Sequence, residues 1–271
     1  MGLEQEDLSR LLETAIVASR LAGQRAMEEI SYVKSSVKGG DELVTETDPR
    51  CQKIIIDRVK ETYPDHGFIG EEGAGGKLFR QEPRGEEKIW WVIDPIDGTN
   101  NFAHQMPVFC VCVAAMYENE PAVGVIFDPA TERMYTASKG GEAQLNGSRI
   151  TASDDPVGEF SSIALDSHFE PPLPQWAQQM IFRTRFRNFG SLGLSLAYVA
   201  SGGLIGAVSR TVKLWDIAAG VLIAEAAGAI VTDHQGKKLF PVDLAGYAGA
   251  RFDVIAANRK VHGELLKLLQ S

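Results

Sequence analysis

The segment WWVIDPID at 90–97 limits the possible folds more than any other part of the chain. Four apolar residues, typical of a strand buried on both faces, lead directly into two acids, Asp94 and Asp97. Carboxylates are rarely buried unless they are paired or bind a metal ion. We therefore expect a core strand that delivers both carboxylates to one site.

Pro95 explains how both aspartates can face the same way. Residues three apart in a regular strand point to opposite faces of the sheet. Because proline lacks an N–H donor and fixes φ, the chain must turn at Pro95, and the turn lets Asp94 and Asp97 face one pocket. It also frees the carbonyl oxygen of Ile96 as a neutral ligand.

The next residues, GTNNF at 98–102, favour a site for an anion. Gly98 lets the backbone approach a ligand closely. The amides of Gly98 and Thr99 begin a predicted helical turn, where phosphate groups bind readily. A polar turn that caps a helix would use the same residue types, so this alternative remains open for the segment alone. The core strand before it favours a functional site, because a plain turn needs no such strand.

Further acids stand at the ends of predicted elements. Glu71 and Glu72 end a short strand, Asp216 stands at the start of a helix, and Asp48 precedes Pro49 as a predicted N-cap. Taken singly, the two glutamates are typical of a solvated pair and the two aspartates of helix caps. Together they offer carboxylates from separate segments. Mg²⁺ needs such a set, since it prefers oxygen ligands in near-octahedral geometry.

The periodicity of apolar residues predicts one unit built from two halves, 1–152 and 153–271. The first half combines helices with a mostly antiparallel sheet, and the second alternates strands and helices. We therefore predict an α/β (α+β) fold. The predicted segments include a helix at about 7–31, a helix from Asp48 to before Pro64, loops at 35–48 and 73–88, a β-meander at 107–151 and a strand at 186–190.

The composition is that of an ordinary globular protein and argues against some partners. The chain has 271 residues, is 44% hydrophobic and carries a formal net charge of −9. We therefore expect neither a nucleic-acid nor an anionic-membrane partner, because those need a basic face. Cys51, Cys110 and Cys112 are too few for a disulfide framework and indicate buried thiols in a reducing, cytoplasmic compartment. No apolar run reaches the roughly 20 residues of a membrane span.

Three segments resemble signature segments of the inositol monophosphatase family: GEEG at 70–73, WVIDPIDGTNNF at 91–102 and LWDIAAGVLIAEAAGAIVTD at 214–233. Their order and spacing match, and VIAAN at 254–258 extends the resemblance toward the C-terminus. The resemblance implies a layered αβαβα sandwich of the inositol monophosphatase and fructose-1,6-bisphosphatase type. It also implies Mg²⁺-dependent hydrolysis of a small-molecule phosphate monoester, inhibition by Li⁺, and a homodimer.

The resemblance implies roles for individual residues as well. Two or three Mg²⁺ ions per site would be held by Glu71, Asp94, the Ile96 carbonyl, Asp97 and Asp216. The attacking water would be oriented and deprotonated by Asp48 and Thr99, with Glu72 beside them. The substrate would be contacted by Lys34, the amides of Gly98 and Thr99, Gly190, Ser191 and Asp216.

The residues before Trp215 leave the substrate open. Animal-type inositol monophosphatases carry an acidic residue a few positions earlier, where this chain has Ser209, with Arg210 and Lys213 nearby. A basic residue there could meet a second anionic group, as in fructose 1,6-bisphosphate or a nucleotide 3′,5′-bisphosphate. Arg210 could equally be a surface charge. If a second anionic group binds here, Ser209 and Arg210 are substrate-binding residues.

Histidinol phosphate is a further alternative, because its cationic amine would favour acids in the pocket. Asp166 and Glu170 could supply them, and His168 could act as a ligand or a base, although ordinary loop polarity explains all three. A noncatalytic regulatory protein on the same fold is the alternative from a different class. Competent residues at every matched catalytic position favour an enzyme that acts on a small molecule.

Overall fold

The computed structural model describes residues 2–37, 43–84, 88–166, 169 and 172–270. Within these ranges, the first half of the chain contains three α-helices, and the predicted helix at 7–31 is confirmed as the first of them. The helices are α1 (Gln5–Glu29), α2 (Thr47–Thr62) and α3 (Thr99–Ala103). The strands are β1 (Ser35–Val37), β2 (Leu43–Thr45), β3 (Gly67–Gly70), β4 (Phe79–Gln81), β5 (Trp90–Asp97), β6 (Cys110–Tyr117), β7 (Glu120–Asp128), β8 (Arg133–Ser138), β9 (Gln144–Leu145) and β10 (Ser148–Arg149).

Eight of these strands form one sheet over the described residues, in the order β10-β9-β8-β7-β6-β5-β3-β4. The run from β6 to β10 confirms the predicted meander. β3 runs parallel to β5, whereas β4 and β6 pair antiparallel with their neighbours. Because the carboxyl ends of parallel strands lie at the same edge of a sheet, the acids that follow β3 and those that end β5 meet there.

The second half of the described chain alternates strands and helices, as predicted. Its elements are β11 (Ser162–Leu165), α4 (Gln175–Arg183), β12 (Arg185–Arg187), α5 (Leu192–Ala200), β13 (Gly206–Val212), α6 (Leu214–Ala226), β14 (Ile230–Thr232), β15 (Phe252–Ala257) and α7 (His262–Gln270). The strands form a sheet in the order β12-β11-β13-β15-β14. β11 is parallel to both of its neighbours, and β15 is antiparallel to both of its own.

Alternation along β5 explains how the large sheet is buried on both faces. Trp91 and Ile93 point into the core shared with α1 and α2, whereas Trp90 and Val92 point into the core shared with α5 and α6. On their other side, α5 and α6 pack against the small sheet, whose far face is covered by α4 and α7. These five layers confirm the predicted αβαβα sandwich.

Two predicted loops contain strands, so those predictions were wrong. β1 and β2 form an antiparallel hairpin inside 35–48, and β4 pairs with β3 inside 73–88. Both β1 and β4 are three residues long, largely polar and not buried, so no apolar alternation marked them in the sequence. Residues 38–42 and 85–87, in the same two segments, lie outside the described residues.

Two predicted helix caps are also corrected. The N-cap of α2 is Glu46 rather than Asp48, and α6 follows Lys213 rather than beginning at Asp216. Each aspartate instead lies in the first turn and accepts a hydrogen bond from a backbone N–H that precedes the helix. The sequence predicts a strand at 186–190. The structure instead has β12 at Arg185–Arg187, which begins one residue earlier and is two residues shorter.

No helix in the described part of the chain is both long and apolar enough to cross a membrane. Cys51, Cys110 and Cys112 are buried free thiols, as the sequence predicts.

Candidate active site

Asp94, Asp97 and Asp216 converge, with one carboxylate oxygen from each lying within 4.8 Å of the others. The turn predicted at Pro95 is a bulge in the ladder. Asp94 pairs with Cys112 and Asp97 with Cys110, so three steps on β5 match two on β6. This offset turns both aspartates to one side. The side chains of Asp94 and Asp97 are 2% and 8% exposed.

A backbone N–H fixes one oxygen of each of these three carboxylates. Ile96 N donates to Asp94 Oδ1 at 3.1 Å, and Gly193 N donates to Asp97 Oδ2 at 2.6 Å. Lys213 N donates to Asp216 Oδ2 at 2.6 Å. Backbone donors hold a carboxylate in place without adding a cation that would compete with a metal ion. We call Asp94, Asp97 and Asp216 the acidic floor.

The electrostatics of the acidic floor favour a bound cation. Burial raises the pKa of Asp94 well above its usual range, and the charges of Glu71, Asp97 and Asp216 raise it further. A cation at the floor would remove this repulsion between carboxylates. The donors are carboxylate oxygens together with the nearby backbone carbonyl of Ile96, and this set suits a hard divalent ion such as Mg²⁺.

Glu71 reaches the floor because β3 and β5 are parallel neighbours. Its backbone N–H donates to Ile93 O at 3.3 Å, which continues the ladder past the end of β3. The next residue, Glu72, is held by Gln52, whose side chain accepts from Glu72 N at 2.9 Å and donates to Glu72 O at 2.7 Å. Gln52 was missed in the sequence, although its spacing of four from Asp48 places both on one helix face.

Asp48 and Thr99 form a second polar centre beside the floor. Thr99 Oγ1 lies 3.1 Å from Asp48 Oδ1 and 3.0 Å from Ile96 O. Thr45 donates to Asp48 Oδ2 through its hydroxyl and through its backbone N–H, the latter at 3.0 Å. Burial raises the pKa of Asp48 to about 6, although the hydrogen bonds from Thr45 oppose the rise, and the charge of Glu72 adds to it.

The hydroxyl group of Ser191 points toward Asp97 of the acidic floor. Its hydroxyl donates to Asp97 Oδ2 at 2.5 Å and accepts from Leu194 N at 3.2 Å, as the N-cap of α5. Cys110 Sγ also lies 3.4 Å from Asp97 Oδ2. The structure therefore places the Ser191 side chain where it orients Asp97, although the residue also lines the adjoining cavity.

Two predicted glycines are required by their surroundings. Gly98 has φ +108°, and a Cβ there would lie 3.0 Å from Val108 O. Gly190 has φ +63°, and a Cβ there would lie 2.9 Å from the amide nitrogen of Asn101. Asn101 Nδ2 in turn donates to Phe189 O at 2.6 Å, which ties the loop before α5 to α3.

A cavity of about 420 Å³ adjoins the floor, with Asp97 and Asp216 in its wall. Its wall also carries Asp166, which directly follows β11, and Ser209, in the middle of β13. Ser209 Oγ donates to Asp166 Oδ2 at 3.1 Å, and Arg210 N lies 3.4 Å from the same oxygen. An acid, Asp166, thus lies next to Ser209 in the wall of the cavity. We call Asp166 and Ser209 the rim pair.

The basic residues predicted near the substrate do not line this cavity. Arg210 is 56% exposed, has its Nε 3.7 Å from Asp253 Oδ1 and lines a different cavity. Lys213 Nζ donates to Gly249 O at 2.7 Å, also away from the 420 Å³ cavity. Lys34 is exposed just before β1, outside the lining of that cavity. His168 and Glu170 lie outside the described residues.

The fold and the acidic floor agree with the comparisons with known proteins. The inositol monophosphatase family model matches residues 7–271, and the chain belongs to this family. The resemblance predicted from the sequence is therefore confirmed.

Relatives within the family carry two kinds of name. Nus factor SuhB of Vibrio cholerae is 34% identical over 237 residues, covering 83% of this chain and 86% of the relative. Inositol-1-monophosphatase of Rhizobium meliloti is 34% identical over 238 residues, covering 84% and 87%. Among solved structures, the Thermotoga maritima IMPase has a TM-score of 0.84 at 31% identity, with 96% of this chain and 97% of that chain covered. The extragenic suppressor protein suhB of Bartonella henselae has a TM-score of 0.85 at 27% identity, covering 97% and 99%.

Proposed function

We propose that the chain is a Mg²⁺-dependent phosphatase that hydrolyses a small-molecule phosphate monoester to an alcohol and inorganic phosphate. The observation that carries the proposal is the acidic floor, three carboxylates within 4.8 Å of one another. A bound cation would offset the repulsion between carboxylates gathered in this way. Similarity to the inositol-1-monophosphatase of Rhizobium meliloti supports the same reaction.

The proposed metal ligands are the acidic floor, Glu71 and the carbonyl of Ile96, which would hold two or three Mg²⁺ ions. Bound Mg²⁺ would supply the acidity that activates a water molecule and the positive charge that phosphoryl transfer requires. The floor joins both halves of the chain, since Asp94 and Asp97 end β5 while Asp216 lies in α6. We therefore propose that residues 1–271 act as one catalytic unit.

The proposed general base is Asp48 acting through Thr99. Asp48 is fully buried, so its carboxylate reaches an attacking water through the half-buried hydroxyl of Thr99, 3.1 Å away. A carboxylate whose pKa is raised to about 6 is a better base near neutral pH than an ordinary aspartate. The backbone amides of Gly98 and Thr99 would bind the phosphate group beside this pair.

The rim pair would receive the organic part of the substrate. Asp166 presents a carboxylate and Ser209 a hydroxyl in the wall of the cavity that Asp97 and Asp216 also line. A carboxylate at that position favours an organic part that carries hydroxyl or ammonium groups, so inositol 1-phosphate and histidinol phosphate both fit. Fructose 1,6-bisphosphate and a nucleotide 3′,5′-bisphosphate are less favoured in this cavity, because Arg210 lies outside it.

A noncatalytic regulatory role is the second candidate, because several relatives are named Nus factor SuhB. The two candidates differ in whether the chain hydrolyses a phosphate ester at the acidic floor.

We further propose a homodimer and a cytoplasmic location. The cytoplasmic location is supported by three buried thiols that form no disulfide.

The deciding experiment measures inorganic phosphate released by the pure protein from inositol 1-phosphate, histidinol phosphate, fructose 1,6-bisphosphate and adenosine 3′,5′-bisphosphate. Each substrate is tested with Mg²⁺, with Mg²⁺ plus millimolar Li⁺, and with EDTA. We expect release that depends on Mg²⁺, is lost in EDTA and is inhibited by Li⁺. Phosphate release that persists in EDTA would contradict the metal mechanism, and no release from any ester would favour the regulatory role.

Asp166→Asn tests the rim pair separately. Loss of the negative charge should reduce kcat/KM for histidinol phosphate about tenfold, because a charge-assisted contact to the ammonium group is lost. It should leave hydrolysis of p-nitrophenyl phosphate, which has neither hydroxyl nor ammonium groups in its organic part, within about twofold. Equal effects on both esters would contradict a role of Asp166 in substrate recognition. They would not contradict the proposed metal site at the acidic floor.

A further inference from the structure

A second cavity, of about 700 Å³, is lined by neither the acidic floor nor the rim pair. It is bounded by the segment after β3, by the start of α6 and by the segment before β15. Its wall includes Glu71 and also Trp215, the neighbour of Asp216 in the chain. The cavity therefore shares its boundary with the proposed metal site, and its volume is typical of sites for small molecules.

The wall of this cavity is strongly basic, in a chain whose net charge is −9. Among the described residues, four cationic ones line it, and the carboxylate there is that of Glu71. Cationic side chains that converge on one concave surface create a local positive potential that attracts anions. We call these four residues the basic wall; they are Lys77, Arg80, Lys213 and Arg251.

Three members of the basic wall are held in place by backbone carbonyls. Lys213 Nζ donates to Gly249 O at 2.7 Å, and Arg251 Nη1 donates to Thr211 O at 2.8 Å. Arg80 donates to the carbonyl oxygen of Tyr247 at 2.9 Å and also contacts Glu82. These bonds order the charges before any ligand arrives, and such preorganisation favours binding.

The remaining wall is partly apolar, with Leu78, Trp215 and Tyr247 among its residues. Cations beside an aromatic and aliphatic surface match a ligand that has both phosphate groups and an organic part. We propose that this cavity binds a phosphate-bearing small molecule. The ligand has two conceivable sources: it is the second phosphate group of a bisphosphorylated substrate, or it is a separate molecule that modulates the reaction. The binding itself is independent of the proposed catalysis.

The test measures binding of inorganic phosphate and of adenosine 3′,5′-bisphosphate by isothermal titration calorimetry in EDTA. Without metal, the acidic floor repels phosphate, so binding in EDTA reports on the basic wall. The wild-type chain should bind adenosine 3′,5′-bisphosphate saturably and more tightly than inorganic phosphate. Lys77→Gln combined with Arg251→Gln should weaken this binding about tenfold.

Lys139→Gln combined with Arg149→Gln is the matched control. It removes the same two charges from exposed ion pairs on the large sheet, with Glu120 and Glu142, away from this cavity. The control should bind within about twofold of wild type, and thermal unfolding should verify that both double variants are folded. The proposal is overturned if wild type shows no saturable binding, or if both double variants weaken binding equally.

Kinetics with Mg²⁺ then separates the two sources. If the bound group is part of the substrate, the basic-wall variant should raise KM for a bisphosphate and leave KM for a monophosphate unchanged. If the ligand is separate, adenosine 3′,5′-bisphosphate should alter monophosphate hydrolysis by wild type and not by the variant. Failure to hydrolyse any ester would refute the proposed function and leave the calorimetric result in EDTA standing.

Discussion

The acidic floor and the rim pair both contribute residues to the wall of one cavity, and they are held in different ways. Asp94 and Asp97 are almost fully buried, and backbone N–H groups fix one oxygen of each floor carboxylate. The rim pair is only half-buried, and hydrogen bonds from Ser209 and Arg210 join Asp166 to the single strand β13. Substitutions in the acidic floor should therefore disturb the proposed metal site. Substitutions in the rim pair should alter substrate preference with little effect on the stability of the fold.

The largest expected effect is that of Asp94→Asn at the floor. The substitution keeps the shape of the side chain but removes a proposed ligand charge, so phosphate release should fall about 100-fold or more. Stability without metal should be kept or increased, because burial disfavours the charged form of Asp94. Phosphate-release assays with Mg²⁺ and chemical denaturation in EDTA check both statements. Activity like that of wild type would refute the metal assignment.

Ser191→Ala should come next, since it acts on the floor through Asp97. Loss of the donor at 2.5 Å should weaken Mg²⁺ affinity about 10- to 100-fold, as for other groups that orient metal ligands. It should also cost about 1 kcal/mol of stability, because Ser191 caps α5. Ser201→Ala, at the other end of α5, is the control that leaves Asp97 untouched. Equal Mg²⁺ affinity in both variants would show that Ser191 does not orient the ligand.

The pH dependence of the metal-free protein tests the burial of Asp48. Burial raises its pKa from 3.8 to about 6, so the folded state keeps a proton that the unfolded state has released between these values. Unfolding then releases a proton, and the free energy of unfolding should fall as pH rises from about 4 to 6, by up to about 3 kcal/mol. Urea unfolding in EDTA measures the slope, which should be shallower in Asp48→Asn. Identical slopes would contradict the assignment.

The smallest expected effect is that of Arg210→Ala. The sequence alone suggests that Arg210 meets a second phosphate group, so its loss would raise KM for bisphosphates. Its position in a different cavity, beside Asp253, predicts instead that KM changes less than about twofold for monophosphates and bisphosphates alike. A rise in KM for bisphosphates alone would show that Arg210 does contact a second phosphate group.

Much of the fold could be predicted because its elements carry strong local patterns. The apolar run at 90–93, the meander of β6 to β8 and the long amphipathic α1 are each periodic over many residues. The short polar strands β1 and β4 have no such pattern. They exist because a neighbouring strand offers hydrogen bonds, and sequence periodicity does not report that.

The members of the acidic floor could be named in advance, but their supports could not. Asp94 and Asp97 stand out because acids rarely end a buried strand. Gln52 is an ordinary polar residue, and its hydrogen bonds to Glu72 depend on how α2 lies against the sheet. Thr45 binds Asp48 locally, three residues away, but nothing in its residue type marks it for that contact. The same holds for Ser191, whose sequence context suggested a contact with substrate rather than with Asp97.

The sequence by itself determined the family, the order of the layers and the acids that gather at the end of β5. These features are encoded locally, in apolar periodicity and in residue types that are costly to bury. The tertiary structure was needed to show that Asp166 lines the same cavity as Asp97 and Asp216, that Arg210 lines a different one, and that four cationic residues share a cavity with Glu71. The physical reason is that these groupings join residues distant along the chain, through strand pairing and helix packing that no local pattern specifies.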